Sequence, residues 1–153
     1  KQVQAGADVV QIFDSWANIL DSKQLNDLSL SYIKSLIAAL KQDPVTSNIP
    51  IILFAREPSC NSRTLIETSA DCISLYWSMN DFDIDLARGK TALQGNLDPK
   101  ILLESDVIIK NETYKILDRF KDFPGYIFNL GHGLTPDINP EKVKYLTEIV
   151  REF

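Results

Sequence analysis

Histidine, cysteine and methionine are scarce in this chain: one His, two Cys and one Met in 153 residues. A lone histidine, His132, excludes a histidine-rich metal cluster. Cys60 and Cys72 form no CxxC pair, so they fit neither a zinc site nor a disulfide framework. No apolar run approaches the roughly 18 residues that a membrane-spanning helix requires. Positive charge is also short, with 16 basic against 21 acidic side chains and a net charge of −5, which argues against a general nucleic-acid-binding surface. What remains, 44% hydrophobic and 24% charged residues, is too apolar for a disordered chain and long enough for a core. The chain starts at Lys1 and its only methionine is Met79, so it is expected to be part of a longer protein.

Five short apolar runs punctuate the sequence: Val9 to Phe13, Ile51 to Ala55, Ile73 to Trp77, Thr91 to Gln94 and Tyr126 to Leu130. They are rich in β-branched and aromatic residues and nearly continuous in hydrophobicity, as strands buried on both faces of a parallel sheet are. Amphipathic stretches alternate with them. Leu25, Leu28, Tyr32, Leu36 and Leu40 make one helical stripe, stopped by Pro44. Ile109, Thr113, Ile116 and Phe120 make another, with Ser105 or Asp106 as N-cap. The last helix has Asn139 as N-cap and Pro140 at its first position, followed by Val143, Leu146 and Val150. Short helices are expected within Arg63 to Ala70 and Asp83 to Arg88. The class is therefore α/β with a parallel sheet. Pattern alone leaves open a doubly wound sheet or part of a (β/α)8 barrel.

Either architecture gathers function where strands end. Those ends read Asp14-Ser15-Trp16, Arg56-Glu57, Trp77-Ser78, Gln94-Gly95-Asn96 and Gly131-His132-Gly133. Any one polar end is explained by a strand meeting water. Five together, holding the only histidine, favour a shared site. Position 136 is Pro136, so Gly131-His132-Gly133 is not a dinucleotide fingerprint. Flanking glycines leave an imidazole accessible for hydrogen bonding or proton transfer. Asp98 followed by Pro99 suits a helix start, and Gln94 and Asn96 suit scaffold more than ligand. No G-x-S-x-G elbow surrounds Ser15, which speaks against a serine nucleophile.

Three strings carry a resemblance: Gln4-Ala5-Gly6-Ala7-Asp8 running on to Val10-Gln11-Ile12-Phe13-Asp14-Ser15-Trp16-Ala17, Leu93-Gln94-Gly95-Asn96-Leu97-Asp98-Pro99, and Asn129-Leu130-Gly131-His132-Gly133-Leu134. With Trp77 and Ala87-Arg88 between them in order, the chain resembles the uroporphyrinogen decarboxylase family over its whole length. The resemblance implies a (β/α)8 TIM barrel, with residues 1–153 as its C-terminal portion of about five β/α units, strands four to eight. It implies a carboxy-lyase of haem and tetrapyrrole biosynthesis that removes four acetate carboxyls from uroporphyrinogen III, giving coproporphyrinogen III without metal or organic cofactor. A pyrrole protonated at carbon becomes the electron sink and carbon dioxide leaves. The family's aspartate and arginines fall in the preceding portion, so no catalytic residue is assigned here. Ser15 and His132 match the family's substrate-contacting serine and histidine; Phe13 and the Gln94-Gly95-Asn96 turn match motif positions and read as pocket wall and scaffold.

Two departures stand out. Tyr76 occupies a place where many members have aspartate, and Arg56-Glu57-Pro58 replaces a basic residue followed by glycine. The resemblance further implies a homodimer, no membrane or nucleic-acid partner, and a cytoplasmic location, or a plastid one if a transit peptide precedes Lys1. The isolated chain is expected to be inactive. Alternatives are a corrinoid-linked methyltransferase of the same superfamily, or a noncatalytic barrel fragment.

Overall fold

The structure, a computed structural model, describes residues 1–79 and 81–153. Its centre is a parallel sheet of β1 (Val10–Asp14), β2 (Ile51–Ala55), β3 (Cys72–Ser74), β4 (Ala92–Gln94) and β5 (Tyr126–Ile127), lying side by side in chain order. Order without a reversal decides between the two architectures. A doubly wound sheet changes direction at a switch point, whereas here every crossover advances by one strand in the same sense. Because such crossovers are right-handed, their helices fall on one side of the sheet, as in the winding of a (β/α)8 barrel.

Register separates the two faces. Ile12, Leu53, Ile73 and Leu93 are aligned across the first four strands and join Ile37, Leu65 and Phe120 in the main core. Phe13, Phe54, Ser74 and Gln94 form the neighbouring row, which strand alternation turns to the other face. There the Gln94 Nε2 donates to Ser74 Oγ at 3.0 Å and reaches the Gln11 Oε1 of β1 at 3.5 Å. In a flat sheet β1 and β4 would stand about 14 Å apart, at about 4.8 Å per strand. Contact between their side chains shows that the sheet curls round this face.

The strands are shorter at β3 and β5 than the apolar runs suggest. Backbone pairing nevertheless continues past their ends: Gly95 N–H donates to Ile127 O at 3.0 Å and Gly131 N–H to Leu97 O at 2.8 Å, around a bridge between Leu97 and Leu130. The Gly95–Asn96 peptide is cis.

The first crossover corrects one expectation. Helix α1 (Ser22–Leu25) opens with a capping box between Asp21 and Gln24, passes through a wide π turn at Asn26–Leu30, and continues as α2 (Ser31–Gln42). Ser31 N–H reaches back five residues to Asn26 O. The added residue rotates the succeeding turns about the helix axis. Leu25, Leu30, Ile33 and Ile37 are therefore buried, whereas Leu28, Tyr32 and Leu36 of the expected stripe are exposed.

The later helices lie where their periodicity puts them: α3 (Ser62–Ile66), α4 (Ile84–Ala87), α5 (Asp106–Phe120) and α6 (Pro140–Glu152). Ser105 is the N-cap of α5, without a side-chain capping bond. Asn139 caps α6 by accepting from Glu141 N–H at 3.0 Å. Asp98 likewise accepts from Lys100 N–H at 2.9 Å at the start of the 3-10 turn Pro99–Leu103. That turn, α5 and α6 enclose a second core of Leu97, Leu102, Ile109, Ile138, Leu146 and Ile149. Among the described residues no helix is long and apolar enough to cross a membrane.

Candidate ligand site at the carboxyl ends of the strands

Ser15 and His132, separated by most of the sequence, line the same cavity of about 390 Å³. Its walls include Gln11 and Phe13 of β1, Phe54 of β2 and Ser74 of β3, so it lies on the curled face. Both Ser15 and His132 are exposed, each on the loop that leaves its strand. Phe13 lines the cavity and is 66% exposed.

The imidazole sits edge-on to two rings, with centroids 6.2 Å from Phe54 and 5.9 Å from Tyr76. Phe13 and Trp77 extend this aromatic group, at 5.8 Å from Phe54 and 5.4 Å from Tyr76 respectively. Tyr76 thus stands directly against the candidate histidine. Its signal in the sequence was the departure from the family pattern, and its place in a buried run concealed the contact.

Backbone packing fixes the histidine's position. Gly131 lies so close to the loop after β3 that a Cβ on it would fall 2.3 Å from Trp77 N and 2.6 Å from Trp77 Cα. Only glycine permits that approach. From the other side Asn96, 2% exposed, donates its Nδ2 to the carbonyls of Tyr76 at 3.2 Å and Trp77 at 3.5 Å. Gly95 makes a similar approach, with its φ at 121° and a Cβ position 2.8 Å from Leu75 O, and Tyr126 donates its hydroxyl to the Gly95 carbonyl. The Gln94-Gly95-Asn96 turn is scaffold on this geometry. Asp14 orients its surroundings, with Oδ1 accepting from Trp16 N–H at 3.3 Å and Oδ2 from the Ser29 hydroxyl.

A more apolar cavity of about 460 Å³ adjoins the first on the side of α6, between Phe128, Leu130, Val143, Leu146 and Val150, and His132 borders both. The cysteines are not poised for chemistry. Burial pushes the Cys60 thiol up to about 11, and burial with the neighbouring Asp71 carboxylate pushes Cys72 to about 12. Among the described residues no group of three or more His, Cys, Asp or Glu is placed to hold a metal ion.

A parallel sheet wound in one direction, with a cavity beyond the carboxyl ends of the strands, defines a barrel-type α/β protein. The family model described as "Uroporphyrinogen decarboxylase (URO-D)" matches residues 1–153, and the chain belongs to that family. Three relatives named uroporphyrinogen decarboxylase show the extent of the likeness. The protein of Chlorobaculum parvum is 41% identical over 159 residues, covering 99% of this chain and 44% of its own length. That of Alcanivorax borkumensis is 40% identical over 153 residues, covering 99% and 43%. That of Vesicomyosocius okutanii is 39% identical over 155 residues, covering 100% and 44%. The chain thus spans less than half the length of these relatives.

Proposed function

We propose that the protein containing this chain is a uroporphyrinogen decarboxylase, and that residues 1–153 supply the C-terminal five β/α units of its single barrel. The observation that carries the reading is the convergence of Ser15 and His132, from opposite ends of the sheet, on one cavity. The Ser15 hydroxyl donates one hydrogen bond to a substrate carboxylate, and the His132 imidazole donates another. Phe13 and Phe54 provide apolar wall for the macrocycle. In the reaction a pyrrole carbon accepts a proton, the bond to the acetate carboxyl breaks, and its electron pair returns to the cationic ring. Carbon dioxide leaves, a proton delivered to the exposed exocyclic carbon completes a methyl group, and loss of the first proton from the ring carbon restores the aromatic pyrrole. Ser15 and His132 hold the substrate for this step; the proton donor is assigned to the preceding part of the protein.

The same reading makes the whole protein a homodimer acting in the cytoplasm or a plastid, and makes the isolated 153-residue chain inactive. The test is decarboxylation of uroporphyrinogen by the whole protein. His132→Asn and Ser15→Ala are each expected to raise KM about tenfold, the size of one lost hydrogen bond to a charged group. Undiminished activity in the double variant would remove both residues from the site. Turnover by the isolated chain would show that the remaining barrel strands are dispensable.

A further inference from the structure

Arg56 is the single residue with a permanent positive charge in the five segments that lead from a strand to the next helical turn, namely residues 15–21, 56–61, 75–83, 95–98 and 128–139. Those same segments carry Asp21, Glu57, Asp81, Asp83, Asp98 and Asp137. A ligand bearing several carboxylates meets an otherwise acidic rim and needs a cation there.

Arg56 follows β2 directly, and the ladder carries on to it, since its N–H donates to Asp14 O at 2.9 Å. It stands two residues beyond Phe54, whose side chain lines the cavity. It is partly buried, and its Nε is closed off from solvent without a hydrogen-bond partner. Among the described residues no carboxylate lies within ion-pair distance of it. Glu57, its neighbour, accepts instead from the Ser78 hydroxyl at 3.2 Å. An Nε–H closed off from solvent with no internal partner is a cost to folding, because a buried donor left unpaired loses its hydration for nothing. A carboxylate arriving from outside would restore the balance with paired N–H···O bonds.

We propose that Arg56 binds a carboxylate of the ligand and is the principal cation that this part of the protein contributes to its polyanionic site. The inference rests on the decarboxylase reading for the identity of the ligand, but its test does not require turnover.

The experiment titrates the purified whole protein with two stable probes, uroporphyrin with eight carboxylates and coproporphyrin with four, following porphyrin fluorescence at low and at high salt. Arg56→Gln is expected to weaken uroporphyrin binding about tenfold or more, with a reduced salt dependence. Arg56→Lys restores part of the loss, since it keeps the charge and gives up the planar fork. Lys144→Gln, which removes the same charge from the exposed side of α6, leaves binding unchanged and controls for overall charge. Thermal melts of Arg56→Gln should equal or exceed the parent's, since no internal partner is lost and an unpaired buried donor is removed. Unchanged uroporphyrin affinity in Arg56→Gln overturns the inference. A protein that binds uroporphyrin through Arg56 yet does not decarboxylate uroporphyrinogen sustains the inference and overturns the proposed function. An active enzyme whose KM and binding ignore Arg56→Gln does the reverse.

Discussion

Replacing Gly131 with alanine tests whether the loops after β3 and β5 are in van der Waals contact through their backbones. The added methyl would lie 2.3, 2.6 and 2.7 Å from the N, Cα and Cβ of Trp77. Carbon atoms prefer about 3.5–4.0 Å, so the overlap approaches or exceeds about 1 Å on each. No rotamer relieves it, because two of the three opposing atoms are main chain. One loop has to move, and each is tied down: Gly131 N–H to Leu97 O at 2.8 Å, and the Tyr76 and Trp77 carbonyls to Asn96. Overpacking costs about 1–3 kcal/mol where side chains can shift, so this site belongs at the upper end, about 3 kcal/mol. At roughly 2–4 °C per kcal/mol for a domain of this size, the melting temperature should fall by about 6–12 °C. Gly133→Ala is the internal control. It lies two residues away, has nothing within 4 Å of its Cβ position and no positive φ, so it should change stability by less than about 0.5 kcal/mol. Paired melts followed by circular dichroism give the answer. Equal melting temperatures for the two variants would show that the loops do not touch as described.

Two further predictions concern stability. Asp71 Oδ2 accepts from Ile51 N–H at 2.7 Å and pairs with Lys41 Nζ at 2.6 Å, so Asp71→Ala should cost about 1–2 kcal/mol in urea unfolding. Asp71→Asn keeps the acceptor and should lose less than about 1 kcal/mol, the partly exposed ion pair alone; equal midpoints for the two variants would contradict this division. Cys60 and Cys72 hold their protons longer in the folded protein than in the unfolded chain, whose thiols titrate near 8.5. Their contribution to stability is therefore complete below about pH 8.5 and declines as pH rises toward 11–12. Iodoacetamide at pH 8 should label them far more slowly in native protein than in urea, and Cys72→Ala should flatten the alkaline fall in melting temperature.

The strands were legible because each overlaps an apolar run, and β2, buried at all five positions, coincides with its run from Ile51 to Ala55. Their lengths were harder to read. Beyond Ser74 and Ile127 the runs continue although the regular strands stop there, the pairing carrying on through isolated backbone bonds. The first helix shows the limit of periodicity. Leu28, Tyr32 and Leu36 keep a good spacing, yet one π turn rotates them outward and brings Leu30, Ile33 and Ile37 in. The turn has no signature in the local residues. At the site, the convergence of Ser15 and His132 followed from strand-end logic and from the family motifs. The contact of His132 with Tyr76 and the isolation of Arg56 arise from curvature and side-chain packing between strands, neither of which is encoded at a fixed spacing.

The frame around His132 is built from glycine, asparagine and main-chain atoms rather than from the ring beside it. Asn96 grips the carbonyls of residues 76 and 77, and Gly131 abuts the backbone of residue 77. None of these contacts depends on which side chain stands at position 76. Chemistry at that position can consequently drift over evolutionary time while the imidazole stays in place. The cavity's polarity can be retuned by a single substitution there, whereas residues 96 and 131 have to be preserved together.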